Sequence, residues 1–161
     1  MKRNLAMLIS AGLIILSQTG CGAADSFPGI QAAQDTDLIL GCGGAEYKCH
    51  IGYVSKDTAS LTFLSPEPLS GMSFRRTDSG NVIALGSLLC KGAGGSLLSG
   101  SAAFKVFGVY DRINENEPAV REKLENGNFR FSDDTEAPTY VIETDPDGIP
   151  KRIDIPDSME N

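Results

Sequence analysis

The side chains of this chain best suited to chemistry are four cysteines and a single histidine. Cys42, Cys49 and His50 lie close together in the sequence, as the ligands of a zinc ion often do. Their spacing does not match that of paired zinc ligands, and neighbouring residues of a strand point to opposite faces of a sheet. His50 falls on the polar side of its predicted strand, where we expect a solvated imidazole and not a general base. We therefore predict no metal site and no catalytic histidine.

Three further patterns are similar to functional motifs, but each lacks a required part. Residues 91–96 are rich in glycine like a phosphate-binding loop, but no lysine follows the last glycine. Asp145 and Asp147 have the spacing of calcium ligands without the later glutamate, and a hairpin turn accounts for both. A hydrolase would need a nucleophile beside His50, and no Gly-x-Ser-x-Gly pattern follows a predicted strand. The sequence therefore predicts no enzymatic activity and no cofactor.

The net charge of the chain argues against two classes of partner. It carries 14 Lys and Arg residues against 21 Asp and Glu residues, which gives a formal net charge of −7. A chain this acidic repels phosphate backbones and anionic lipid head groups. We therefore expect no nucleic acid partner and no electrostatic adsorption to a membrane.

The beginning of the chain has the pattern of an export signal. Lys2 and Arg3 precede an uncharged apolar run over residues 5–16. This run is shorter than the roughly 20 residues that a membrane-spanning helix needs. Small residues and then Cys21 follow it. A charged start, a short apolar middle and a small-residue end together predict an exported protein.

The stretch LSQTGC at residues 16–21 resembles the lipobox of bacterial lipoproteins, with Gln18 where an apolar residue is usual. In those proteins the cysteine thiol accepts a diacylglycerol and the cysteine becomes the new N-terminus. Two acyl chains are needed because a single one gives only marginal, reversible membrane binding. The resemblance implies a signal peptide over residues 1–20 and a lipid anchor on Cys21 at the outer side of the cell membrane. The alternative is cleavage after Ala24, which would remove Cys21 with the leader.

Three cysteines remain when Cys21 carries the lipid. In an oxidising compartment Cys49 could pair with Cys42 or with Cys90. We favour three reduced thiols, because Cys49 and Cys90 lie in apolar stretches where cysteine packs as a small hydrophobic residue.

Alternation of apolar and polar residues predicts a sheet. After a lipidated N-terminus and tether over residues 21–36, a short strand is expected over residues 37–40. The clearest strand follows at residues 46–54, with apolar side chains on one face and His50 on the other. Residues 59–85 predict three consecutive strands separated by tight turns.

The second half of the chain predicts helix and then strands again. Residues 86–95 are too rich in glycine for a regular element, and a helix is predicted to begin near residues 99–101. A second, shorter helix is predicted over residues 118–126, because Val120 and Leu124 are four residues apart. Extended chain at residues 128–131 precedes a hairpin.

The last two predicted strands flank a turn. Residues 139–143 and 149–155 are expected to pair through Asp145-Pro-Asp-Gly148, since proline, aspartate and glycine in this order are typical of a hairpin turn.

This order of elements predicts one domain of the α+β class over residues 37–156. We expect a single curved antiparallel β-sheet, half-barrel-like, with a helical insertion near residues 99–126 that supplies one or two covering helices. Residues 157–161 are expected to fray. Six apolar residues are predicted to form either a sealed core, which ordinary packing favours, or the floor of an apolar groove. They are Phe63, Met72, Phe74, Val82, Phe107 and Tyr110.

Two stretches, SPEPLSGMSF at residues 65–74 and DGIPKRI at residues 147–153, resemble strand-edge motifs of small clostridial-type bacterial lipoproteins. Those lipoproteins are similar to the LolA/LolB lipoprotein-carrier superfamily, whose open half-barrels are covered by helices and hold lipid chains. The resemblance spans residues 47–156 and implies no particular functional residue, because the carriers use an apolar cavity.

Two functions follow from the sequence. The first is a membrane-anchored, extracytoplasmic binding or assembly module with a protein partner and no catalysis. The second is a carrier or sensor of lipid acyl chains.

Overall fold

A computed structural model describes residues 27–31, 34–92, 100–116 and 118–156 of the chain. These residues form one open, curved sheet of ten strands and one α-helix, so the protein belongs to the α+β class. The strands are β1 (Gln34–Cys42), β2 (Ala45–Ser55), β3 (Thr58–Ser65), β4 (Ser73–Thr77), β5 (Gly80–Leu85), β6 (Leu88–Lys91), β7 (Val120–Lys123), β8 (Phe129–Ser132), β9 (Val141–Thr144) and β10 (Pro150–Ile155). Helix α1 (Ala102–Glu115) lies between β6 and β7, and a single turn of 3-10 helix, Glu67–Leu69, lies between β3 and β4.

The sheet consists of two antiparallel arms. Its strand order is β6-β5-β4-β3-β2-β1-β10-β9-β8-β7, so strands β1 to β6 form one arm and β7 to β10 the other. The arms join where β1 pairs in parallel with β10, which places Leu40 opposite Ile153. The sheet is therefore mixed, and the prediction of an antiparallel sheet is right for every neighbouring pair except this one. Hydrophobic alternation does not show which distant strands become neighbours.

Most of the predicted elements lie where the sequence placed them. β2, the three strands β3 to β5, and the hairpin of β9 and β10 match their predicted segments. In the turn of that hairpin Gly148 adopts a φ of 83° and donates its backbone N–H to the carbonyl of Asp145 at 3.0 Å. β6 forms within the glycine-rich stretch that we expected to be irregular.

The second predicted helix is wrong, because residues 120–123 form strand β7. This strand pairs with β8, and the Leu124 amide N–H bonds to the Asn128 carbonyl at 2.8 Å to close their hairpin. A helix of one or two turns is marginal in water without neighbours. The four-residue spacing of Val120 and Leu124 is therefore a weaker signal than pairing with an adjacent strand.

Helix α1 begins and packs as its sequence predicts. The side chain of Ser101 accepts a hydrogen bond from the Phe104 backbone N–H at 3.5 Å, which caps the first turn. The buried side chains recur at helical spacing, and they face the apolar side of the sheet. They are Ala103, Val106, Phe107, Val109 and Tyr110.

The core lies between this helix and one face of the sheet, which we call the inner face. The central strands contribute alternate residues to it, for example Cys49, Ile51 and Tyr53 of β2, all of which are buried. The opposite face, which we call the outer face, carries polar and charged residues such as His50 and Arg75.

A partly buried polar network fixes α1 to the first arm. Arg76 donates two hydrogen bonds to the carboxylate of Asp111, at 2.8 and 2.9 Å, and the hydroxyl of Tyr53 donates to the same carboxylate at 2.8 Å. The Arg76 guanidinium also lies 5.2 Å from the centre of the Phe107 ring. The ring of Tyr53 stacks on that of Tyr110, with centroids 5.1 Å apart. One carboxylate of the helix thus holds two strands.

Residues 27–31 lie against the second arm, although the sequence suggested a tether here. The ring of Phe27 packs edge-on against Phe129 at 5.6 Å. Gln31 bonds through its backbone and side-chain nitrogens to the carbonyls of Gly148 and Asp147, each at 3.0 Å. β1 then begins at Gln34, three residues before the predicted strand. The folded part of the chain therefore begins no later than Phe27.

Substituting Asp111 with alanine is expected to destabilise the fold strongly. The change leaves the guanidinium of Arg76 and the hydroxyl of Tyr53 without their acceptor in a site where both charged side chains are less than one-fifth exposed. We expect a loss of about 2 to 3 kcal/mol in the free energy of unfolding, measured by urea denaturation. Glu115→Ala is the control, because it removes an exposed ion pair with Lys56 from the same helix and should change stability far less. Equal effects of the two substitutions would contradict this account.

Candidate binding surfaces

Four of the six apolar residues singled out from the sequence lie fully in the core: Phe63, Phe74, Phe107 and Tyr110. Met72 is partly buried against it. Val82 is placed differently, because it lies opposite Arg75 on the outer face, and its neighbour Ile83 packs against the core opposite Phe74. Residues 82–85 are all apolar, so their alternation gives no indication of which face is inner. Cys21 lies outside the described residues.

The three cysteines of the described residues are free thiols in different surroundings. Cys49 is completely buried on the inner face, and burial raises the pKa of its thiol to about 12. Cys42 is half-buried at the end of β1, and Cys90 is exposed on β6. A thiol with so high a pKa is protonated and unreactive at neutral pH, so Cys49 serves the core as a hydrophobic side chain.

His50 lies on the outer face between two carboxylates of the neighbouring strand. Its Nδ1 is 2.7 Å from Asp37 Oδ1, and its Nε2 is 2.6 Å from Asp35 Oδ1. The register explains this placement, since β1 and β2 are antiparallel and Asp37 is directly opposite His50. Asp35 is two residues along the same strand and therefore points to the same face.

These contacts favour the doubly protonated imidazolium form of His50. A neutral imidazole has one N–H donor, whereas two acceptors face this ring. The hydrogen bond to Asp37 has the largest effect and raises the pKa of His50 above its usual value. Burial works in the opposite direction, and the bond to Asp35 and the charges of both carboxylates add to the increase. The prediction that His50 lies on the polar face of its strand is right. The two carboxylate partners were missed, and the signal for them was the Asp35 and Asp37 pair at a spacing of two in an adjacent strand.

The outer face of the second arm carries a row of alternating charges. Arg130 on β8 lies between Glu143 on β9, at 2.9 Å, and Glu122 on β7, at 3.3 Å. Arg152 on β10 bonds to Asp154 and to Glu46 of the first arm, both at 2.7 Å. These ion pairs are exposed or half-exposed, so each adds little to stability. Together they place Arg130 and Arg152 among carboxylates in a row across this face.

A glycine makes room for this row at the junction of the arms. A Cβ atom on Gly41 would lie 2.1 Å from Asp154 Oδ1, much closer than any real contact. Gly41 of β1 lies directly opposite Asp154 of β10, and its missing side chain leaves room for Asp154 to accept a hydrogen bond from Arg152 on the same strand.

The two edges of the sheet are unlike each other. At one edge, three of the four residues of β7 are the exposed and charged Arg121, Glu122 and Lys123, which discourages another strand from pairing. At the other edge all four residues of β6 are exposed. The fractional exposure is 72% for Leu88 and 58% for Leu89. Within the described residues, no strand pairs with the outer side of β6.

Two findings concern metals and membranes. Among the described residues, no three His, Cys, Asp or Glu side chains converge as metal ligands. In the same part of the chain, no helix is both long and apolar enough to cross a bilayer.

Comparison with protein-family models, with curated proteins and with solved structures found no significant match to this chain. The surfaces described above are therefore interpreted from their own geometry.

The His50 cluster predicts a pH-dependent stability. Because the folded-state pKa of His50 is raised, its contribution is complete below the usual pKa of about 6.5 and is lost as pH rises through the folded-state value. His50 is the only histidine, so one ring resonance in a proton NMR titration reports its pKa directly. We expect that pKa to lie above 6.5, and Asp37→Asn to lower it.

The matched control for this titration is Asp57→Asn, which removes one negative charge from the β2–β3 turn. It should leave the titration of His50 nearly unchanged. A His50 pKa at or below 6.5 in the parent protein would show that the two carboxylates do not act as described.

Proposed function

We propose that this protein is a membrane-anchored, extracytoplasmic lipoprotein that acts as a non-catalytic binding or assembly module. The observation that carries the proposal is the exposed apolar strand β6, which forms one edge of the sheet, whereas the charged strand β7 forms the other. Such an edge offers backbone N–H and C=O groups together with leucine side chains to a strand of a partner protein.

The charge distribution of the chain supports this surface. The chain as a whole is acidic, yet no Asp or Glu occurs between Gly80 and Tyr110. Lys91 is the charged residue of β6. A partner strand that approaches β6 therefore meets apolar side chains and one cation, without the general negative charge of the protein.

The proposed anchor would hold this surface near the membrane. Five residues separate Cys21 from Phe27, the first described residue. Even fully extended, this stretch reaches at most about 20 Å. A diacylglycerol on Cys21 would therefore keep the sheet close to the bilayer surface, where partners in the membrane are available.

The position of His50 supports a non-catalytic role. Each of its ring nitrogens faces a carboxylate oxygen, so neither is free to accept a proton from a serine or cysteine nucleophile. The buried Cys49 is protonated at neutral pH, which makes it a poor nucleophile.

A half-barrel that carries acyl chains is the alternative function, and the packing of the inner face supports it less well. Phe107 and Tyr110 of α1 are completely buried on the face that a carrier would leave open. Acyl chains would have to displace these two rings together with the Asp111 network that holds the helix.

The anchor is tested by Cys21→Ser. Serine offers no thiol to the diacylglycerol donor, so the variant should appear in the soluble fraction or keep its uncut leader. Intact-mass analysis of the membrane fraction reports lipidation and cleavage together. A variant that is processed and retained in the membrane like the parent protein would refute the anchor.

The binding edge is tested by Leu88→Glu on β6. If β6 carries the partner, this charge should lower the amount of any complex extracted from membranes at least tenfold, as measured by native gel or sedimentation. Val54→Glu is the matched control, because Val54 is 70% exposed and Leu88 is 72% exposed. Val54 lies on β2, away from the edge. If both variants assemble like the parent, the edge is not the binding surface.

A further inference from the structure

A groove of about 790 Å³ lies between α1 and the loop that precedes β9. Its apolar wall includes Val109 of the helix, Pro138 of the loop and Ile155 at the end of β10. This volume falls in the range of sites for small organic molecules. The groove is separate from the β6 edge and from the His50 cluster.

Gly108, in the middle of α1, leaves this groove open. Glycine inside a helix is unfavourable relative to alanine, so its presence calls for a reason. Close packing is not the reason, because a Cβ atom at this position would meet no atom within 4 Å. Gly108 instead borders the groove, and any larger side chain here would project into it.

Two cations flank Gly108 on the same face of the helix. Lys105 is three residues before it and Arg112 four residues after it, and both line the groove. The ammonium of Lys105 has no ion pair or hydrogen bond within the described residues. The one acidic residue of the lining is Glu136. Arg112 is itself 3.7 Å from the Asp133 carboxylate, so Lys105 is the cation of the lining that remains available to a ligand.

The loop that forms the other wall is held in place by hydrogen bonds. Asp133 accepts from the backbone N–H of Thr139 at 2.8 Å and from its hydroxyl, and that hydroxyl oxygen also accepts from Arg112. Burial works to raise the pKa of Asp133, but the bonds from Thr139 hold it below its usual value. A wall fixed in this way costs little further ordering when a ligand binds.

We propose that this groove binds a small organic anion with an apolar body. The apolar walls would hold the body, and the ammonium of Lys105 would hold the anionic group. The helix residues of the lining run from Lys105 to Arg112, seven residues apart, so a ligand of about 10 Å would span the groove. The site is a binding activity additional to partner assembly at β6.

The probe for this site is 4-benzoylbenzoate, a photoreactive aromatic carboxylate of matching length. It is irradiated with the full chain in membranes, and the labelled peptides are identified by mass spectrometry. We expect saturable labelling of α1 and of residues 136–139. The neutral analogue 4-methylbenzophenone should label these peptides at least fivefold less at the same concentration.

Two variants and one control decide the result. Gly108→Leu fills the groove with a good helix former, and Lys105→Glu reverses the charge of the proposed anion ligand, so each should lower labelling of α1 at least tenfold. Lys48→Glu makes the same charge change at an exposed position of β2 and should leave labelling unchanged.

Two outcomes would overturn the proposal. One is labelling that persists in both groove variants. The other is labelling concentrated on β5 and β6 and lost in Leu88→Glu, which would place the probe on the exposed apolar edge. Lys105→Glu lies on the helix surface, so it keeps the test valid if Gly108→Leu fails to fold.

Discussion

A single helix has to cover the apolar face of ten strands, and this mismatch of widths governs the architecture. Strands lie about 4.8 Å apart, so a flat sheet of this size would be roughly 43 Å wide, whereas a helix is about 10 Å across. Helix α1 contacts β2 and β10 in the middle of the sheet. The inner faces of strands farther out are covered only where the sheet curves towards the helix or where another segment packs on them. Residues 27–31 pack on β8 in this way. The outermost strand of the first arm, β6, has neither kind of cover within the described residues.

The two faces of the sheet solve different physical problems. The inner face stabilises the fold by burying apolar side chains, with the carboxylate of Asp111 as the polar contact that fixes the helix. The outer face remains in water and carries charges, and there Arg130 and Arg152 are each placed between two carboxylates. His50 follows the same rule as Arg130 and Arg152, with the difference that its charge depends on pH within the physiological range.

Local signals in the sequence predicted local structure well and long-range contacts poorly. The alternation in β2, the turn before Gly148 and the serine cap of α1 each involve neighbouring residues, and each element lies where it was predicted. The pairing of β1 with β10, the strand β7 and the carboxylates around His50 all depend on which strands become neighbours in space. The prediction that Val82 faces the core was wrong for a different reason. In a run of consecutive apolar residues, the sequence does not show which side chains face the core. The groove beside Gly108 had one signal in the sequence, a glycine inside a helical pattern, whose meaning depends on a loop 30 residues away.

The parallel pairing of β1 with β10 has a consequence for how the molecule is made. Within the described residues β10 is the last strand, and it lies at the centre of the sheet between β1 and β9. During synthesis from the N-terminus, the first arm is complete long before β10 is made. Until then, the backbone groups on one side of β1 have no strand to pair with. In a nascent or truncated chain that lacks Pro150–Ile155, the sheet is divided into two parts. Each part then has an additional edge strand, β1 or β9, with unpaired backbone N–H and C=O groups. Timely synthesis of the six residues Pro150–Ile155 therefore decides whether the arms pair with each other or with a neighbouring molecule.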